Sequence, residues 1–344
     1  MSFSKAMIVG CAGKALSADE VEFFKREQPW GFILFARNIG SRDEIISLTS
    51  HFRELVGRDD APVFIDQEGG RVQRIKAPLA PNYPTGRLLG ELYDQDKDNG
   101  IRSAREMSRL HAADLLPLGI NADCLPVLDV PQPGSHDVIG DRAYGHSPQK
   151  VADMGRAAAD GLIEGGVLPV IKHIPGHGRA MVDSHHALPL CDTPHEELSK
   201  HDFEPFCQLA RMPMAMTAHV VYAALDEDNP ATTSRTVIDQ VIRGEIGFDG
   251  LLMTDDLSMK ALSGDFQART KASFAAGCDV VLHCNGVMQE MAAVAEATPH
   301  LSGKAEDRAE RAMALVQAGV TDGRSGDDIA ALRRGFEDLI SVPA

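Results

Sequence analysis

The sequence predicts a (β/α)8 barrel, read as one catalytic domain over residues 1–344 with closing helices from about residue 302. Three observations carry that expectation. Short apolar runs alternate with longer amphipathic stretches from end to end, eight of the runs are strand-like, and no Gly-x-Gly-x-x-Gly follows the first of them. The first two imply a parallel sheet with right-handed helical crossovers, and the third removes the usual sign of a doubly wound dinucleotide-binding sheet. A closed parallel sheet of eight is the common solution at this length.

The expected strands are Ala6–Val9, Phe32–Phe35, Val63–Ile65, Cys124–Leu128, Val167–Ile171, Ala215–Thr217, Leu251–Met253 and Val280–Leu282. Met7-Ile8-Val9-Gly10-Cys11 looks faintly like the end of a lipoprotein signal. The apolar stretch from Ala6 to Gly10 is shorter than the roughly 7–15 residues of a signal core, so a buried first strand is the reading adopted. Pro126 marks the fourth run as an edge or irregular strand. Helix starts are legible between the runs. Ser17 to Glu20, Ser41 to Glu44 and Thr193 to Glu196 each have capping-box spacing, and Pro194 falls at an expected first helical position. Ile45, Leu48, Phe52 and Leu55 recur on one helical face, and Val151 to Leu162 repeats the pattern. The tail from Ser302 is charged and helical in pattern.

Composition narrows the function classes. Lys+Arg 34 against Asp+Glu 50 gives a formal net charge of −16, which repels phosphate backbones and anionic lipid. Neither nucleic acid nor a membrane is therefore expected as a partner. The apolar fraction of 44% supplies a core, and with 24% charged residues no apolar run approaches a membrane span. The six cysteines are scattered without a C-x-x-C pair, as expected of small buried hydrophobes in a reducing compartment, and the cytoplasm is the expected location.

In a barrel, chemistry sits at the C-terminal ends of the strands. Those positions offer Arg37-Asn38, the run from Asp66 to Arg74 with Glu68, then Asp129, Asp141-Arg142, Lys172-His173, His219, Asp255-Asp256 and His283. The densest stretch is Lys172 to His186, with four histidines and several glycines and no helical period. It reads as a functional loop, the alternative being a solvated loop with idle histidines. Adjacent Asp255 and Asp256 point to opposite sides of a strand, so at most one faces the axis, and the other could cap the next helix. Gly69-Gly70 suggest backbone close to a ligand rather than a simple turn. The lone Trp30 and 5% aromatics argue against a long stacking groove for polysaccharide.

Three motifs carry a resemblance. Asp66-Gln-Glu-Gly-Gly-Arg-Val-Gln-Arg74, Lys172-His-Ile-Pro-Gly-His-Gly178 with Asp183-Ser-His185, and Gly247-Phe-Asp-Gly250 leading into Thr254-Asp-Asp-Leu-Ser-Met259 resemble the family 3 glycoside hydrolases. They look like the single-domain β-N-acetylglucosaminidases of bacterial cell-wall recycling, and the match runs from about Phe32 to Gly286. The resemblance implies a cytoplasmic enzyme that removes the non-reducing GlcNAc from GlcNAc-1,6-anhydro-MurNAc muropeptides. It implies Asp255 as nucleophile, His185 as general acid/base and Asp183 as the carboxylate orienting that histidine. Asp66, Arg74, Arg142, Lys172 and His173 match sugar-binding positions. Ile174 stands where Phe is more usual, and the second domain of many larger members is not expected. Neither a metal nor an organic cofactor is expected.

The chemistry agrees independently, since a retaining glycosidase needs one carboxylate to attack and a second group to protonate the leaving oxygen. An imidazole with a pKa near 6.5 suits the second task at neutral pH. Were His185 excluded, the next candidates for the acid are His173 and Glu68. The rival readings are a phosphorylase on the same fold, a non-catalytic sugar-binding protein, and a metal-dependent hydrolase drawing ligands from His173, His177, His185 and His186. Against the last, no His-x-His ends the first strand, and Lys172 would repel the ion.

Overall fold

The computed structural model describes residues 4–182, 184, 187–320 and 326–341. Its main sheet is parallel throughout and has nine strand segments: β1 (Lys5–Val9), β2 (Pro29–Leu34), β3 (Val63–Ile65), β4 (Ala122–Asp123), β5 (Leu168–Pro169), β6 (Ile171–Ile174), β7 (Met214–Thr217), β8 (Leu251–Asp256) and β9 (Val280–His283). Their spatial order is β5-β4-β3-β2-β1-β9-β8-β7-β6. The two end segments are one stretch of chain broken only at Val170, whose N–H still donates to Asp123 and Leu125 carbonyls. The sheet therefore closes on itself as an α/β barrel of the (β/α)8 type.

Side-chain alternation separates the two sides of the wall. Ala6 and Ile8, Phe64, Ala122 and Cys124, Leu168 and Val170, Met214 and Met216, Leu251 and Met253, Val280 and Leu282 fill the interior. Met7, Val9, Val63, Ile65, Ala215, Leu252 and Val281 instead pack against the surrounding helices. The helices start where polar residues satisfy their free N–H groups. Ser17 and Ser41 form complete capping boxes with Glu20 and Glu44 on helices Ala18–Glu27 and Arg42–Val56.

Several expectations are corrected in detail. The fourth strand is assigned at Ala122–Asp123 rather than Cys124–Leu128, and beyond Pro126 only a single bridge from Val127 to Lys172 continues it. Proline has no N–H to give the ladder, so the run breaks there. The fifth continues through Lys172 and His173 to Ile174 instead of stopping before them. Pro194 is the N-cap of helix His195–His201 and not its first residue, because the Thr193 hydroxyl accepts from Arg179 (3.3 Å) rather than capping.

The N-terminal end of the barrel is plugged by helix Gly303–Val320, whose Ala309, Ala312, Met313 and Val316 join the interior cluster with Leu301. Arg308 pins it to Asp279 (3.0 Å) and to Asp249 (2.6 Å). Helix Gly326–Ile340 packs on the outer wall against Lys97–Leu115, where Arg333 reaches Asp114 (2.9 Å). With that end filled, a site can open only at the opposite mouth.

Candidate active site

Inward alternation carries one step past the apolar layers to reach the mouth. Asp66 follows Ile65, Lys172 follows Ile171, and Asp255 is two residues beyond Met253, so each occupies an axis-facing position above the interior core. Cys124 and Cys284 form part of the floor beneath them. Their thiols are pushed well up, first by burial and then by neighbouring carboxylates, Asp66 foremost for Cys124 and Asp256 foremost for Cys284.

The Asp66–Arg74 run folds back as a hairpin of Gln67–Gly69 against Val72–Gln73. Gly69 and Gly70 have φ of 97° and 55°, and a Cβ on either would strike Pro84 or Thr85. They are a turn packed on neighbouring chain, not backbone held open for a ligand. The fold brings Arg74 onto Asp66 Oδ2 (2.8 Å), while the wholly buried Lys172 Nζ reaches Asp66 Oδ1 (3.0 Å) and Glu68 Oε1 (2.6 Å). Arg142, from the turn Gly140–Arg142, grips Glu68 with two bonds of 2.8 Å. Four of the expected sugar-binding residues, Asp66, Arg74, Arg142 and Lys172, thus meet in one network with Glu68 at its centre.

Electrostatics fixes the charge states of this network. Burial alone would raise the Asp66 and Glu68 carboxyls, but Lys172 and Arg74 hold Asp66 well below the usual range, and Arg142 and Lys172 hold Glu68 at about 2. Burial opposes the charges on Lys172 and Arg142 too, yet the same carboxylates push both upward. All stay ionised near neutral pH. Glu68 therefore has no proton to give a leaving group and is removed as an alternative acid.

His173 lies beside this network and is held by Asp129, whose Oδ2 is 2.6 Å from Nδ1. Asp129 also accepts the backbone N–H of His177 (2.7 Å). The His177 ring is buried 5.6 Å from that of His173, and burial lowers its pKa to about 4. Asp255 is half-buried at the end of β8, with Oδ1 accepting the Asp256 N–H (2.7 Å). His219, just past the neighbouring strand β7, lies beside it and donates through Nε2 to the Asp256 carbonyl (3.1 Å), and burial lowers its pKa. Asp256 points outward to accept the N–H groups of Ser258 (3.0 Å) and Cys284 (3.1 Å). It ties β8 to β9 rather than capping a helix, since Asp265 caps Phe266–Ala276. His283 also points outward, against the Phe266 ring, and so takes no part in the mouth. Asp183, His185 and His186 lie outside the described residues.

Asp129 and His219 are strand-end residues in the sequence without an assigned role, and Glu68 is named there only as an alternative acid. The signal that could have raised Glu68 is its place within the first motif, and for Asp129 and His219 it is their position at strand ends. Among the described residues, no group of three His, Cys, Asp or Glu side chains is arranged to hold a metal ion, and no helix is long and apolar enough to cross a membrane.

A barrel with a charged, hydrogen-bonding mouth and an axis-facing carboxylate suits a polar ligand with many hydroxyls. Residues 6–317 match the glycosyl hydrolase family 3 N terminal domain, and the chain belongs to that family. It is 37% identical over 283 residues to a Beta-hexosaminidase of Bordetella parapertussis, covering 81% of this chain and 79% of that one. To a Beta-hexosaminidase of Methylococcus capsulatus it is 39% identical over 277 residues, or 79% and 80% of the two chains. Among solved structures it superposes on NagZ from Neisseria gonorrhoeae in complex with N-trifluoroacetyl-D-glucosamine with TM-score 0.85 and 30% identity over 98% of each chain. A β-N-acetylglucosaminidase of Paenibacillus sp. matches with TM-score 0.84 and 29% identity, over 98% of this chain and 68% of that one. The chain is accordingly a glycoside hydrolase of the β-hexosaminidase type.

Proposed function

We propose that the protein is a retaining exo-β-N-acetylglucosaminidase that frees GlcNAc from GlcNAc-1,6-anhydro-MurNAc muropeptides during peptidoglycan recycling in the cytoplasm. The observation that carries this reading is Asp255, an axis-facing carboxylate in the same mouth as the Asp66–Lys172–Glu68–Arg142 network. Residues 1–344 act as one catalytic domain in this reading, with no cofactor.

The sugar is held by Asp66, Arg74, Arg142, Lys172 and His173, which offer fixed donors and acceptors to its hydroxyls. Asp255 attacks the anomeric carbon and forms a glycosyl ester while His185, oriented by Asp183, protonates the departing oxygen. His185 then takes a proton from water as water opens the ester, and two inversions leave the β anomer. The relative with N-trifluoroacetyl-D-glucosamine supports an N-acylated glucosamine in this mouth.

Digestion of a defined anhydro-muropeptide, with identification of the released sugar and its anomer, tests the proposal. β-GlcNAc and a residual anhydro-MurNAc peptide are expected. An α product, or no cleavage, would sink it, and a sugar 1-phosphate formed only with added phosphate would make the protein a phosphorylase.

A further inference from the structure

Asp129 is wholly buried just past the Val127–Lys172 bridge, and its carboxylate serves two segments at once. Oδ1 accepts the backbone N–H of His173 (3.1 Å) and of His177 (2.7 Å), and Oδ2 lies 2.6 Å from His173 Nδ1. Burial would raise this carboxyl, but the facing histidines and the N–H donors hold it at about 2. An ionised carboxylate can only accept. Nδ1 of His173 therefore carries the hydrogen whether the ring is neutral or cationic, and Nε2 is the atom left to meet a ligand.

The second segment is the root of the stretch that leads to Asp183 and His185. His177 is fixed there by Asp129, Gly176 by the Tyr222 hydroxyl (2.5 Å to its carbonyl), and Gly178 by the Gln132 N–H (3.1 Å to its carbonyl). One buried side chain thus joins a sugar-facing imidazole to the base of the segment that holds the acid/base residue.

We propose that Asp129 is a positioning residue that holds the ring hydrogen on Nδ1 of His173, turning Nε2 toward a sugar hydroxyl, and anchors the segment root through the His177 N–H. This rests on the reading of His173 as a sugar contact. The substitution Asp129→Asn separates the two roles. The amide oxygen keeps both backbone N–H donors, while the amide nitrogen replaces Oδ2 beside His173. That nitrogen donates, so Nδ1 must accept and the ring hydrogen moves to Nε2.

The test is ¹⁵N NMR of the histidine-labelled resting enzyme, with His173→Gln to assign the signal, alongside turnover of an aryl N-acetylglucosaminide. The wild type should carry hydrogen on Nδ1, and Asp129→Asn on Nε2. For the variant, kcat/KM should fall by about 10²-fold with little change in Tm, since small misplacements of a positioning group cost that much. A resting wild type with hydrogen on Nε2 alone, or a variant with unchanged kcat/KM, would overturn the proposal. If Asp129→Asn does not fold, the wild-type tautomer still decides it. Failure of the wild type to turn over the glycoside would sink the functional reading instead, because the tautomer is read without substrate.

Discussion

Glu68 accepts from Arg142 with both oxygens and from Lys172 with one, so a single carboxylate fixes two cations of the mouth. Replacing it with Gln keeps the shape and removes the charge, leaving Arg142 and Lys172 buried without their shared carboxylate partner. Breaking a buried pair from one side costs about 3 kcal/mol or more. Glu68→Gln should therefore lose roughly that much stability in urea unfolding and raise KM for an aryl N-acetylglucosaminide at least tenfold, by a rough estimate. Unchanged KM would show that the network is structural alone. At this scale the sequence was readable where chemistry repeats as a motif. Asp66, Arg74, Arg142 and Lys172 stand together because one hairpin, one turn and the strand β6 deliver them to the same point. Their mutual pairing could not be read, since Arg142 and Glu68 are 74 positions apart in the chain. Alternation does predict that only one of Asp255 and Asp256 faces the axis, but which of them depends on where the strand begins.

Arg179 anchors the element that follows β6. Its guanidinium reaches Asp202 (2.7 Å) and Glu197 (2.9 Å), so the stretch leading toward His185 is tied to helix His195–His201 and its C-cap, Asp202. On its far side the same stretch rejoins the fold where Leu190–Cys191 pairs with Val221–Tyr222. Arg179→Ala should lower kcat/KM about tenfold through misplacement of that segment. Binding of a small sugar inhibitor at the Asp66 network should be untouched. Equal loss of inhibitor binding would mean that the segment shapes the sugar subsite itself. Elements were legible where local chemistry decides them, as at the Ser17 and Ser41 caps and the exact span Val63–Ile65. They were not where a distant partner decides. The hydroxyl of Thr193 is taken by Arg179, and the broken fourth strand depends on a cross-strand bridge to Lys172.

The whole molecule places its titratable groups so that acid stability has two regimes. His111 and His177 are pushed down by burial, to about 3 and about 4 from an ordinary 6.5. Folded below unfolded, they contribute stability that is full above pH 6.5 and lost as pH falls toward those values. Asp123 and Asp202 are both raised by burial and act in the opposite sense, Asp202, raised to about 6, doing so as pH falls from 6 toward 4. The two pairs therefore oppose each other there. Below that, Glu68 and Asp129, both held at about 2, must take up protons against their partners. Their stability is present above the ordinary carboxylate pKa and lost as pH falls through 2. The urea midpoint should thus change little from pH 6.5 to 4.5 and drop steeply below. A steady loss beginning at pH 6.5 would mean that Asp123 and Asp202 are ionised in the folded protein.

Barrel closure at Val170 and the plug of Gly303–Val320 leave the mouth that holds Asp255 open, and the proposed covalent intermediate forms on that side chain. Inactivation with an activated fluorosugar of the N-acetylglucosamine series, followed by peptide mapping, tests that most directly. One sugar equivalent on the peptide containing Asp255, at that side chain, is the predicted result. A label on Asp256, or an enzyme that turns over glycosides yet never becomes labelled, would contradict it.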